Sequence, residues 1–377
     1  MYMDNHEAID FFENVAQIIE KARKLVGRTT DLTMCISYFE IGRMIVEEEQ
    51  SGNDRAEYGK GLLAKLSDFL TDRIGKGYSE STLRNARKFY LVYSPSIQQA
   101  MPTDFKKNQT LLSLLSNSQK KQAMLTEFNP FTLSWSHYLI LMRIKNEKER
   151  RFYEIEALNQ QWGYRELQRQ YNSSLYERLA LSRDKSDIIQ LSKVGQVLEK
   201  PQDIMKNPFV LEFLGMEERT KYSETDLEQA LIDNLQKFLL ELGKGFLFEA
   251  RQKRFTFDED HFIVDLVFYN RLLQCYVILD LKTEKLKHQD LGQMQMYVNY
   301  FDRYVKTEKE TPTVGILLCK EKNDSVVQLT LPTDSNIYAS EYNFYLPDKA
   351  LLQRKLVEWT EEFEETQKFR KSGELGD

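Results

Sequence analysis

Residues 262–282 read Phe-Ile-Val-Asp-Leu-Val-Phe-Tyr-Asn-Arg-Leu-Leu-Gln-Cys-Tyr-Val-Ile-Leu-Asp-Leu-Lys. The β-branched and aromatic alternation on either side of Asn270-Arg271 predicts two strands joined as a hairpin. Each strand carries an aspartate where a core strand tolerates none. Asp265 interrupts the first, and Asp280 and Lys282 close the second. A buried carboxylate costs several kcal/mol unless something neutralises it. Two of them with a lysine, converging from neighbouring strands, make a site for a divalent cation and a phosphate.

The rest of the composition limits what such a site can serve. With 377 residues, 41% of them hydrophobic and 29% charged, the chain can build two folded domains or three small ones. It contains no apolar run of about 18 residues, so no membrane span is expected. The start, Met-Tyr-Met-Asp-Asn-His-Glu, lacks the basic-then-apolar pattern of a secretory signal. Cys35, Cys275 and Cys319 sit far apart in apolar sequence and read as reduced core thiols of a cytoplasmic protein. Only four histidines are present, which argues against a histidine-rich metal site. The net charge of −6 means that any nucleic-acid binding must come from local basic patches.

Helical periodicity dominates the first half, over 7–26, 31–51 and 58–74, and again from Leu133 to Gln160 and Tyr164 to Ser182. Gly75-Lys76-Gly77 ends the third helix, and Ser79 or Ser81 caps the next. A polar, mixed stretch follows, and after Asn207-Pro208 the character changes. A helix at 225–242 precedes strands near 246–257, 261–269 and 273–281, a helix at 288–303, and a central strand at 313–319. The expected architecture is α+β with two domains: an all-α half over 1–182, a linker over 183–205, an α/β domain over 206–360 with a mixed sheet, and a charged tail over 361–377.

The spacing Asp265…Asp280-Leu281-Lys282 resembles the PD-(D/E)XK nuclease signature. Phosphodiester hydrolysis uses a hard divalent cation held by a few carboxylates, with water and substrate oxygens completing its shell. Asp265 and Asp280 are the candidate ligands, with the Leu281 carbonyl as a third and Mg²⁺ or Mn²⁺ as the ion. Lys282, two residues from Asp280, shares its strand face and can orient water and phosphate. Glu228 heads the apolar stripe of Ile232, Leu235, Leu239 and Leu242, and is a further candidate for a metal or water. Glu249, in the first strand, is a weaker one. Gln293 and Tyr297 stand one helical turn apart on a shared face. That Gln-x-x-x-Tyr pattern looks like the one lining the active site in the RecB-like branch of these nucleases. Alone, an Asp-x-Lys is most often a solvated pair at a strand end, and Glu228 a helix-start charge. Their conjunction, in order and on matching element types, carries the argument.

At this point the resemblance covers nearly the whole chain. Leu227–Leu231, Phe238–Phe246, Arg251-Gln252, Val264–Asn270, Asp280–Lys282 and Gly292–Tyr297 resemble the bacterial YhcG-like family, as do Ala56–Lys60, Gly75–Ser79, Leu133–His137 and Trp162–Leu167. The family joins an N-terminal helical domain to a C-terminal PD-(D/E)XK nuclease domain, which implies a metal-dependent DNA nuclease of restriction, repair or recombination. Two departures stand out: Asp280 where the family usually has Glu, and Phe248-Glu249-Ala250 in place of a smaller pair.

For holding nucleic acid, Arg84, Arg87 and Lys88 fall on one arc of a helix whose other arc is Leu83, Ala86, Phe89 and Tyr90. With the glycine turn before it, this resembles a helix-turn-helix; a solvated basic face is the plain alternative. Arg251, Gln252 and Lys285 form a second candidate patch near the acids. The rival reading is a catalytically silent DNA-binding adaptor with a nuclease-like fold. The residues leave open DNA against RNA, endo- against exonuclease, and oligomeric state, although nucleases that cut both strands are often homodimers.

Overall fold

The computed structural model describes residues 30–50, 55–100, 129–182, 185–217, 221–257, 259–332 and 334–357. The helix expected over 7–26 and the tail over 361–377 lie outside them. Among the described residues the chain forms two compact units. One holds residues up to Arg150 with Glu156–Leu167; the other holds Arg151–Ile155 and Gln168 onward.

The first unit is helical. Helix α1 (30–50), α2 (Arg55–Arg73) and α3 (Glu80–Ala100) pack through Ile45, Leu63 and Leu83. Gly75 and Gly77, at φ 108° and 128°, turn the chain between α2 and α3. Ser79 Oγ then accepts the Thr82 N–H at 3.3 Å and caps α3. Where α1 meets α3, a Cβ on Gly42 would lie 2.1 Å from the Ala86 carbonyl oxygen, so a larger residue cannot stand there. The single helix expected from Leu133 to Gln160 is two, α4 (Trp135–Leu141) and α5 (Glu147–Asn159). Asn146 explains the restart. Its Oδ1 accepts the N–H groups of Lys148 at 2.9 Å and Glu149 at 3.2 Å, a cap worth about 1 kcal/mol. Trp135 stacks on Tyr38 with ring centroids 4.4 Å apart, and Trp162 is buried.

Helix continues across the boundary at Leu167 into the second unit. The run expected from Tyr164 to Ser182 breaks into α6 (Tyr164–Asn172) and α7 (Leu175–Leu181) at Ser174, whose φ of 55° is left-handed. Helix α8 (Lys185–Val194) follows. Six strands then make one mixed sheet. They are β1 (Phe209–Val210), β2 (Phe246–Phe257), β3 (Asp260–Asn270), β4 (Cys275–Lys285), β5 (Val314–Glu321) and β6 (Ile337–Asn343), in the order β1-β6-β5-β4-β3-β2. Strands β4, β5, β6 and β1 run parallel, and β2 and β3 antiparallel.

Helices α9 (Glu224–Asp233) and α10 (Leu235–Leu242) cover one sheet face, packing Leu227, Leu231 and Phe238 on Leu266, Val277, Leu279 and Leu281. Asn234 divides what the sequence reads as one helix; its side chain donates to the Ala230 carbonyl at 3.1 Å. Helix α11 (His288–Tyr300) covers the other face through Leu291, Met294 and Val298. Each such fully buried side chain contributes about 1.5–3 kcal/mol of gross burial energy. The hairpin turn is longer than expected. Asn270 ends β3, and its Oδ1 accepts the N–H groups of Leu272 and Leu273 at 3.0 and 3.1 Å to shape a four-residue loop. All three cysteines are buried and unpaired. No described helix is long and apolar enough to cross a membrane.

Candidate active site

The site lies where the sheet forks. Pairing of β3 with β4 runs from Asn270 opposite Cys275 to Leu266 opposite Leu279, and stops. Beyond that point β3 continues only alongside β2, as far as Asp260, while β4 continues alongside β5, as far as Lys285. Asp265 and Asp280 are the next residues on the two parting strands. The fork is held open by side chains. Asp265 Oδ2 accepts the Leu281 N–H at 2.9 Å, taking the place of a strand partner. The Tyr297 hydroxyl donates to the Ile263 carbonyl at 2.9 Å and is itself bonded to the Gln293 amide.

Along a strand, the N–H and C=O of one residue point to the same side. The Leu281 carbonyl therefore faces the same fork as its N–H, with no β3 ladder to take it. Asp280 is 3% exposed. Lys282 Nζ lies 2.8 Å from Asp280 Oδ2, an ion pair whose angles leave that oxygen without a well-formed hydrogen bond. Glu224, at the start of α9, stands 3.6 Å from the same ammonium and was not singled out from the sequence; only its place at a helix start could have marked it.

Burial and the neighbouring Asp280 push the Asp265 carboxyl up to about 7, with the Leu281 N–H and Lys282 pulling the other way. Burial also raises Asp280, against the pull of Lys282. Lys282 is discouraged by burial, yet Asp280, Glu224 and Asp265 more than compensate and hold it above the usual lysine range. Two carboxylates thus share one ammonium in a partly dry site.

Glu228 is 2% exposed and close enough to Asp265 to raise its pKa. Its two oxygens accept from Arg251 and Gln252, so the side chain points inward as the apolar stripe predicts and meets the patch residues of β2. Gln252 holds φ 50°, sparsely populated for a residue with a side chain. Its strand bulges at Glu249, which pairs with Lys253 at 2.5 Å. Lys285 is drawn away to Glu321 at the exposed sheet end. In the helical unit, Leu83, Ala86 and Phe89 are buried as predicted. On the other arc, Arg84 pairs with Glu80, Arg87 with Glu49 at 2.6 Å, and Lys88 is exposed.

No cluster of three or more His, Cys, Asp or Glu side chains suited to a metal occurs among the described residues. Mg²⁺ does not require one: it keeps several waters and takes one or two carboxylates. A buried and a half-buried acid, the former with an oxygen lacking a well-formed hydrogen bond, and a strand carbonyl beside them suit such an ion.

An acid and an acid-x-lysine on parted strands of a mixed sheet define a nuclease domain of the PDDEXK class, and residues 202–357 match the YhcG PDDEXK nuclease domain family. Residues 14–178 match the DUF1016 N-terminal domain family. The chain is 39% identical over 350 residues to an Escherichia coli (strain K12) protein described as "Putative nuclease YhcG", covering 92% of each. It belongs to the YhcG family. Two solved structures align at low similarity over 35% of this chain and 50% of theirs. A repair endonuclease from Pyrococcus abyssi is 19% identical with a TM-score of 0.23, and a complex titled EndoMS-dsDNA2 is 17% identical with a TM-score of 0.24.

Proposed function

We propose that the protein hydrolyses phosphodiester bonds of DNA with Mg²⁺ or Mn²⁺, at the fork between β3 and β4. The observation that carries this reading is the buried Asp280, one of its oxygens without a well-formed hydrogen bond, facing half-buried Asp265 beside a charged lysine. Asp265, Asp280 and the Leu281 carbonyl would hold the cation, in a cleft between strand pairs that have separated. A cation held there lowers the pKa of an attacking water and offsets charge on the scissile phosphate. Lys282, kept protonated by its acids, donates to a phosphate oxygen and stabilises the charge that develops on it. Tyr297 and Gln293 keep the fork open by occupying the Ile263 carbonyl. Glu228 orders Arg251 and Gln252 at the cleft edge, where they meet the backbone of the substrate, with Lys285 further out.

The helical half adds sequence-independent phosphate contacts through Arg84, Arg87 and Lys88, exchanging Glu80 and Glu49 for phosphates. The activity belongs to DNA restriction, repair or recombination, and a homodimer would present two forks to two strands. The test is a cleavage panel of linear, nicked, branched and single-stranded DNA, with matched RNA, each with and without Mg²⁺ or Mn²⁺. Metal-dependent cleavage of DNA that disappears in Lys282→Ala supports the reading. Equal cleavage by that variant, or none by the parent on any substrate, contradicts it and favours the silent adaptor.

A further inference from the structure

Helix α11 has two working faces besides the one it packs on the sheet. Gln293 and Tyr297 face the fork. Gly292, Gln295, Met296, Asn299 and Tyr300 of α11, with Arg303 in the π-helical turn that follows it, line a groove of about 350 Å³ against Phe255, Phe257 and Phe262 of β2 and β3. Its wall is aromatic. Phe255 stacks on Tyr300 with centroids 4.0 Å apart and on Phe262 at 5.4 Å. Phe257 and Tyr304 sit at the rim, 54% and 61% exposed. The groove adjoins the fork directly: Phe255 meets the ring of Tyr297 edge-on at 5.6 Å, and the Tyr297 hydroxyl holds Ile263, two residues from Asp265.

Gly292 is the second observation. A glycine inside a helix costs about 1 kcal/mol relative to alanine. Usually a positive φ or a close neighbour requires it, yet a Cβ built at Gly292 meets nothing within 4 Å. The packing of the fold does not require this glycine, which lies open on the groove.

We propose that this groove binds an unpaired segment of the DNA strand beside the scissile phosphate, its bases lying on Phe257, Tyr304 and the Tyr300–Phe255 stack. Rings accept any base by its flat face. Gln295 Nε2 donates to Asn299 Oδ1 at 3.3 Å, which leaves the Gln295 oxygen and the Asn299 amino group for base edges. Arg303 supplies the cation for the connecting phosphate. An apolar peptide would leave the Arg303 guanidinium unanswered. The substrate class that follows is DNA with a single-stranded portion: a flap, an end or a gap.

The inference rests on the nuclease reading for the direction of the strand, and its test needs no cleavage. Binding of a fluorescent oligothymidine and of a blunt duplex is measured by anisotropy with the full chain in EDTA. Phe257→Ala, Tyr304→Ala and Gly292→Leu change exposed or open positions, and circular dichroism checks their folding. The expected result is single-strand binding about tenfold weaker or more for each, the scale of base-on-ring stacking, with duplex binding little changed. Parent-like single-strand binding by all three overturns the groove and leaves the fork reading untouched, as does a change confined to self-association in sedimentation. Oligothymidine binding is read in EDTA without any cleavage, which separates failure of the groove from failure of the fork.

Discussion

Two clusters of buried charge lie in the same α/β unit and behave oppositely. Around Glu241, which is fully buried, both carboxylate oxygens are answered. Arg178 Nη1 donates to Glu241 Oε1 at 2.5 Å and to the Pro208 carbonyl at 3.0 Å. Its Nε donates to the Ser173 carbonyl at 2.7 Å, and its Nη2 to Ser173 Oγ at 3.0 Å. The Val210 N–H and Arg169 reach the same carboxylate, and Lys206 donates to the Glu241 carbonyl. Burial pushes Glu241 up, and Arg178, Lys206 and Arg169 overcome it, holding the carboxyl near about 2. At the fork, two aspartates share one lysine, and the Asp265 carboxyl is pushed up to about 7. Burial alone therefore does not set purpose. A satisfied cluster ties α7, β1 and α10 together, whereas an under-satisfied one holds open a place for a ligand.

The contrast gives opposite signs for removing an acid, and the largest effect falls on the satisfied side. Glu241→Ala strands Arg178 without its counter-charge and costs about 3–5 kcal/mol, lowering the melting temperature by roughly 10 °C or more. A differential scanning experiment reads this, and a variant that melts with the parent would erase the distinction between the clusters. Lys282→Ala comes next. DNA cleavage falls by about 100-fold or more, measured on whichever substrate the parent cuts fastest, while the melt stays close to the parent's.

Asp265→Asn goes the other way and stabilises the metal-free protein. The folded pKa of Asp265, about 7, lies above its ordinary value of 3.8. Between those two pH values the folded protein holds a proton that the unfolded chain has lost, so stability falls as pH rises through the window. The penalty is complete above about 7. Asparagine never incurs it. Melts across this range in EDTA show a gap of a few degrees in favour of the variant, opening with rising pH; a gap of constant size contradicts the titration. The smallest effect belongs to exposed pairs. Arg84→Ala breaks a helix-surface contact with Glu80 worth about 0.3–0.5 kcal/mol. It lowers the salt slope of DNA binding by about one unit.

The same contrast sets what could be read in the amino-acid sequence. The order helix, strands, helix, strand of the α/β half was legible because β-branched alternation and an α11 stripe are local signals. The fork residues were legible because a charge inside Ile263–Val267 or Val277–Leu281 contradicts its surroundings. Helix breaks at Asn146, Ser174 and Asn234 were not, since a side chain that reroutes one hydrogen bond leaves the apolar period intact. Strand β6, with Ser340 and Glu341 in it, lacked the apolar run that marks a core strand, and Ser340 is buried through its bond to the Lys206 carbonyl at 2.7 Å. Glu224 gave no signal beyond a helix start. The partner of Arg87 was equally hidden, because Glu49 is brought near by packing and not by spacing.

Isothermal titration of Mn²⁺ into the full chain, at a pH of about 8 where Asp265 is ionised, tests the central claim most directly. The account predicts a saturable heat in the parent that is lost in both Asp265→Asn and Asp280→Asn, each still folded by circular dichroism. The same isotherm in all three proteins would show that the forked strands hold no cation.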